Sequence, residues 1–262
     1  MLLENRNAVI YGAGGALGTG VATAFAREGA TVFLAGRTRE HLDKAAEQVT
    51  AAGGHAEVAL VDALDERAVD QHAQAMVSQA GGIDISLNLI SRGDVQGTPL
   101  VEMSTADFLH PIITGVTTNF ITARAAARHM IRQGSGVILA LDSGAATGSP
   151  MLGGTGPADA ATDVLVRNLA AEVGPHGVRV VGIWVAGVPD TLSPEKLAMY
   201  NSKLRVDDEA FQGLLAQLDQ MRMLRRSPRV AEIAEAAVFL ASDRAAGITG
   251  TFVNVTGGMF PS

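Results

Sequence analysis

The sequence predicts an α/β fold, a single domain in which strands and helices alternate around a parallel sheet. Three observations predict it. Short β-branched runs alternate with Ala-rich stretches of helical length from end to end, the pattern of repeated βαβ units. The strand runs are apolar almost throughout rather than alternating, as suits strands covered on both faces. The first strand also runs straight into a glycine-rich turn that opens a helix.

Strands are expected at 7–11, 31–35, 55–61, 83–89, 136–141, 178–185 and 251–255. Helices are expected at about 16–29, 38–52, 65–80, 103–132, 156–173 and 229–241. Gly29, Gly53, Gly81, Gly134 and Gly174 stand where the intervening helices must stop, as C-terminal caps do. No linker, low-complexity tract or strict repeat divides residues 1–262, and one large core suits this length. The departure from regularity is 186–227, too long for a plain αβ connection and placed after a strand's C-terminal end, where a lid would sit. Its Leu192, Leu197, Met199 and Leu204 suggest a partly apolar small-molecule substrate.

Composition limits the function. Hydrophobic residues make up 47% and charged residues 18% of the 262, so neither disorder nor a membrane array is indicated. The net charge of -7 argues against nucleic-acid or anionic-membrane partners, which require clustered Lys and Arg. The local basic cluster Arg222, Arg225, Arg226 and Arg229 reads as a solvated helix end. There is no cysteine, hence no disulfide framework or Cys-ligated metal, and the N-terminus lacks a signal peptide's apolar core, so a cytoplasmic location is expected. The six histidines show no metal-ligand spacing, and no metal site is expected.

The turn after the first strand reads Gly12-Ala13-Gly14-Gly15-Ala16-Leu17-Gly18. Glycines in such a turn let backbone N–H groups approach a pyrophosphate, and the helix N-terminus adds partial positive charge. Gly12, Gly14, Gly15, Leu17 and Gly18 are therefore candidate dinucleotide-binding residues. After the second strand comes Gly36-Arg37-Thr38, with no carboxylate for an adenosine ribose diol. Arg37 can instead pair a 2′-phosphate, which favours NADP(H) over NAD(H), or else it is a solvated turn residue. Asp62, ending the third strand, is either an acceptor for the adenine amino group or a cap for the next helix.

With these residues in place the chain resembles the short-chain dehydrogenase/reductase family over nearly its whole length. The likeness extends to Ala170-Ala171-Glu172 leading into Gly177-Val178-Arg179-Val180, and to Val230-Ala231-Glu232-Ile233-Ala234 followed by Phe239-Leu240-Ala241-Ser242, Ile248-Thr249-Gly250 and Gly257-Gly258. It implies a Rossmann-type doubly wound sheet of seven parallel strands in the order 3-2-1-4-5-6-7 with helices on both faces. It also implies a homodimer or homotetramer through the 103–132 and 156–173 helices. Where the family reads TGxxxGxG the middle glycine is Ala16, tolerable if the backbone there is helical. Of the NNAG motif after the fourth strand only Asn88 survives, as Asn88-Leu89-Ile90-Ser91. After the sixth strand the family's proline-glycine pair is Val185-Ala186, and Thr191 closes the segment expected against the cofactor.

The catalytic positions depart further. Counting back without gaps from Ala171-Glu172 places Thr155 where the family has its Tyr, Asp159 where it has its Lys, Asp142 with Ser143 beside it at the Ser position, and Gly115 at the helix Asn. A Tyr is an effective acid near neutral pH only beside a cation. Thr155 is far too weak an acid for that role, and Asp159 one turn on would raise a neighbouring pKa. Asp159 could instead accept from nicotinamide-ribose hydroxyls. Asp142 and Ser143, at the mouth of the sheet, are the best polar candidates. Asp142 would be a proton donor if burial raises its pKa, or else a turn cap. Asn119 is either a replacement for the missing Asn or a bonded interior residue. Tyr11 reads as packing, and Tyr200 in the lid as packing or as a ring that swings over a nicotinamide. Two functions stay open: an NADP(H)-dependent oxidoreductase acting on a carbonyl, alcohol or enone with relocated proton chemistry, and a non-catalytic NADP(H)-binding protein. A non-redox reaction on the same scaffold is a third.

Overall fold

A computed structural model describes residues 1–201 and 207–260. Seven strands form one parallel sheet: β1 Asn7–Tyr11, β2 Thr31–Gly36, β3 His55–Leu60, β4 Ile85–Asn88, β5 Gly136–Asp142, β6 Val178–Trp184 and β7 Thr251–Asn254. Their order is β3-β2-β1-β4-β5-β6-β7, as the resemblance implies. The helices are α1 Ala16–Arg27, α2 Arg39–Ala51, α3 Glu66–Ala80, α4 Thr105–Gln133, α5 Thr155–Val173, α6 Pro194–Tyr200, α7 Asp208–Gln220 and α8 Val230–Ala241.

The period of two along each strand divides the core into two layers. Along β1, Ala8 and Ile10 face a cluster with Phe25, Leu34, Leu139, Ile183, Ile233 and Val238, which is covered by α1, α2 and α8. Val9 and Tyr11 face the opposite cluster, with Phe33, Val69, Met130, Ile138 and Val166, covered by α3, α4 and α5. The outer strands are covered less completely than their apolar sequences suggested, because β3 and β7 are edges and no residue of either is fully buried. β4 starts two residues later than expected, yet Ile83 is fully buried.

Polar caps fix several helix starts. Ser104 accepts from the Asp107 N–H at 3.1 Å before α4, and Asp65 accepts from the Ala68 N–H at 3.0 Å before α3, satisfying N–H groups the helix cannot. Gly81 and Gly134 end their helices in left-handed conformation, as expected. Gly174 does not: it keeps helical angles and continues into a short 3-10 turn that ends at left-handed Gly177. The 186–227 insertion carries α6 and α7, and Leu204 lies outside the described residues.

The expectation that Arg222 belongs to a solvated cluster is corrected by its burial. Only 1% of Arg222 is exposed. Its guanidinium donates to the carbonyls of Thr256 at 2.9 Å, Leu218 at 2.5 Å, Ala186 at 2.7 Å and Gly187 at 2.9 Å. One side chain thereby ties both ends of the insertion and the C-terminal segment together, which a charge pattern read along the sequence does not show.

Candidate active site

The C-terminal ends of β1, β4, β5 and β6 lie side by side along one edge of the parallel sheet, the edge at which open α/β sheets bind their ligands. The turn after β1 is held by Gly12 N–H donating to the Ala35 carbonyl at 2.9 Å. Gly12 has φ +83, and a Cβ there would lie 2.6 Å from the Leu89 carbonyl oxygen, so only glycine fits. Gly15 is the exposed N-cap of α1, with no side-chain cap and no acidic residue in the first turn. Ala16 is the first helical residue, consistent with Ala at that position. The uncapped amides at Ala16, Leu17 and Gly18 are an anion cradle. The diphosphate of a nicotinamide dinucleotide fits these donors by charge, no acidic residue standing in the first turn.

Arg37 follows β2, is exposed and pairs with no carboxylate among the described residues. Asp62 is exposed and accepts from the Leu64 N–H at 3.0 Å, closing the turn before α3 while remaining open to solvent. Asn88 is buried; its carbonyl oxygen accepts from the Ile90 N–H at 2.9 Å and its amide donates to Thr122 at 3.4 Å. It shapes the turn after β4. Thr191 lies in a 3-10 turn after β6 and donates to the Val188 carbonyl at 2.9 Å.

The polar cluster over β5 is denser than the sequence suggests. Asp159 is fully buried on α5. One oxygen accepts from the Ser143 hydroxyl at 2.5 Å, the Ala145 N–H at 2.9 Å and the Ser143 N–H at 3.2 Å. The other accepts from the Arg92 guanidinium. Enclosed in this way, both oxygens of Asp159 are engaged by Ser143, Ala145 and Arg92, and it organises the site from within. Thr155, the first residue of α5 and 2% exposed, donates to Asp94 at 3.0 Å. Asp94 in turn lies 3.5 Å from Arg92. Burial works against the Arg92 charge, but Asp159 and Asp94 outweigh it and hold the guanidinium pKa above its usual range.

Asp142 ends β5, paired in register with Trp184, and is 2% exposed. The turn-capping reading holds, and the carboxyl is also buried as the alternative reading required. Its Oδ1 accepts from the Gly144 N–H at 3.0 Å and so caps the turn. Burial, followed by the charges of Asp159 and Asp163, pushes the carboxyl up to about 9, against the pull of Gly144 and Arg92. It therefore holds a proton at neutral pH. Its Oδ2 is buried with no hydrogen-bond partner among the described residues. Asn119 donates to the Gly115 carbonyl at 3.0 Å and is an interior residue. Tyr11 is 2% exposed and meets His72 edge-on at 6.0 Å in the core.

Comparison with known proteins decides the family. A family model described as enoyl-(acyl carrier protein) reductase matches residues 12–260. The chain belongs to the short-chain dehydrogenase/reductase family. It is 31% identical over 263 residues to gluconate 5-dehydrogenase of Gluconobacter oxydans, covering 98% of this chain and 95% of that one. It is 29% identical to 7alpha-hydroxysteroid dehydrogenase of Escherichia coli, covering 98% and 94%. Among solved structures, carveol dehydrogenase from Mycobacterium avium in complex with NAD superposes with a TM-score of 0.88 at 24% identity, covering 98% of each chain. That last likeness concerns the fold alone. The named relatives are dehydrogenases and reductases, and this short-chain dehydrogenase/reductase is an oxidoreductase with a nicotinamide-dinucleotide fold. Among the described residues no helix is long and apolar enough to cross a membrane.

Sequence reasoning missed Arg92 and Asp94. Both lie in a loop with no motif of its own, and their importance comes from α4 and α5 folding against it. The signal available was a pair of coupled oddities: Gly115 inside a long helix, and a buried-face acid at Asp159 needing a cation from elsewhere.

Proposed function

We propose that this chain is an NADP(H)-dependent oxidoreductase that interconverts a small, partly apolar carbonyl or enone with its reduced product, using Asp142 as proton donor. The observation that carries this reading is the Asp142 carboxyl at the end of β5, buried with its Oδ2 unpartnered among the described residues and its pKa raised by that burial. Gly12, Gly14, Gly15, Leu17 and Gly18 would hold the diphosphate, and the unpaired Arg37 would take a 2′-phosphate. Asp62, Asn88 and Thr191 would line the rest of the cofactor cleft. The bound dinucleotide supplies the hydride.

In the reducing direction the Asp142 proton passes to the substrate oxygen, leaving a carboxylate that takes a proton back from water. Ser143, fixed by Asp159, presents its oxygen beside the reacting group, and Thr155 is fixed by Asp94. Leu192 and Leu197, half-buried on the lid, and exposed Met199 favour an apolar substrate body. Exposed Leu109, Ile113, Phe120 and Val164 on α4 and α5 support a homodimer or homotetramer through those helices.

The test is NADPH oxidation against a panel of ketones, quinones and enones. Turnover above the solvent background is expected, and its absence across the panel with both NADPH and NADH would overturn the reading.

A further inference from the structure

The buried face of α5 carries Thr155, Asp159 and Asp163 and no cation, yet Asp159 is fully enclosed. An isolated carboxylate in such a place is strongly disfavoured. Arg92 answers it from the loop after β4. Its side chain is 12% exposed and its guanidinium touches Asp159 and Asp94. Its aliphatic stem lies against α4 at Gly115, where a Cβ would come within 2.5 Å of Arg92 Cδ and 2.9 Å of Cγ. The small residue on α4, the acid on α5 and the loop arginine thus form one unit: any side chain at 115 contends with Arg92 for the same space.

We propose that Arg92 is a positioning residue of this site: seated over Gly115 and bound to Asp159 and Asp94 together, it supplies the positive charge that the buried face of α5 lacks, Arg167 of that helix being exposed and paired with Asp163, and it fixes the two carboxylates that hold Ser143 and Thr155. Through Asp159 it also acts on Asp142. The charged groups acting on the Asp142 carboxyl are Asp159 and Asp163 from α5 and Arg92 from the loop, with the Gly144 N–H from its own turn. Arg92 and Asp159 pull its titration in opposite directions. That opposition separates an electrostatic role from a merely structural one.

The experiment is a pH titration of side-chain carboxyls by ¹³C NMR on aspartate-labelled protein, with the Asp142 signal assigned by its loss in Asp142→Asn. Arg92→Met should move the Asp142 midpoint upward by half a unit or more. Gly115→Asn, which displaces the guanidinium without removing it, should move it the same way. Asp159→Asn should move it downward, and Arg92→Lys should leave it near the wild-type value. An unchanged midpoint in Arg92→Met, or shifts of one sign in Arg92→Met and Asp159→Asn, would overturn the proposal. If Arg92→Met does not fold, Gly115→Asn and Asp159→Asn carry the same opposed expectation. This measurement needs no substrate, so its failure is distinct from failure of the proposed reaction. Where turnover is found, Arg92→Met should lower kcat at least tenfold with a smaller change in KM, and Arg92→Lys should restore most of it.

Discussion

Replacing Asp142 by Asn should make the protein more stable and less active, two changes of opposite benefit from one atom. The amide copies the shape of the neutral acid and cannot ionise. In the folded protein the carboxyl titrates at about 9, whereas in the unfolded chain it returns to about 4. Between those values the native state holds a proton that the unfolded state has released. The sign follows: stability from this group is present in full below the unfolded value and is lost as pH rises toward the folded one. The slope is about 1.4 kcal/mol per pH unit for one whole proton, and on the order of 1 kcal/mol per unit once it is shared with neighbouring carboxyls. Urea unfolding at pH 6, 7 and 8 reads it directly. Subtracting the Asp142→Asn curve from the wild-type curve cancels histidines and other groups common to both. The difference should therefore grow in favour of the variant as pH rises. NADPH-dependent turnover, where a substrate is found, should meanwhile fall at least tenfold, since a positioned acid is commonly worth about 10²- to 10⁴-fold. Equal pH slopes in the two proteins would show that Asp142 is ionised in the native state and would remove it as the donor.

Three further outcomes follow from particular contacts. Arg37→Ala should weaken NADPH binding at least tenfold and leave NADH binding nearly unchanged, as followed by fluorescence titration; parallel losses would refute selection of a 2′-phosphate by this guanidinium. Gly12→Ala places a Cβ 2.6 Å from the Leu89 carbonyl oxygen at a residue with φ +83. It should cost about 1 to 3 kcal/mol of stability and abolish binding of both coenzymes in calorimetry. Arg222→Ala leaves the carbonyls of Thr256, Leu218, Ala186 and Gly187 without their donor. A loss of about 3 kcal/mol or more is expected, together with faster proteolysis within 186–227; unchanged proteolysis would mean that the insertion is held by other contacts.

The parts legible in the sequence were those set by local rules. The apolar strand runs, the helix-capping glycines and the turn beginning at Gly12 each depend on neighbours in the chain, and the structure places β1 and α1 where those rules led, while the sheet order followed from the family resemblance. The edges of strands shifted by one or two residues, and Gly174 gave its capping role to Gly177, because a following 3-10 turn can absorb a helix end as easily as a left-handed residue can. Arg222 was misread because its neighbours in sequence, Arg225 and Arg226, are exposed, whereas its own environment is built from the segment after β6, α7 and the C-terminal segment. Asp142 was legible only as an alternative. Its position at a strand end was visible, but its raised pKa depends first on burial and then on Asp159 and Asp163, which come from another element.

The same distinction explains why the site looked emptied when read along the chain. If Thr155, Asp159 and Gly115 stand where the resemblance puts the family's working side chains, a linear reading finds three losses. In three dimensions two of them are linked to a gain. Gly115 clears the space that Arg92 fills, and Asp159 is the anion that Arg92 satisfies. Reversal should therefore fail one residue at a time. Asp159→Lys alone would set an ammonium against the Arg92 guanidinium in a buried pocket, at a cost of several kcal/mol. Combined with Arg92→Ala it would remove that repulsion and recover most of the stability, a coupling that a double-mutant cycle measures directly. Additive losses would mean that the loop and the helix arrived at these residues independently.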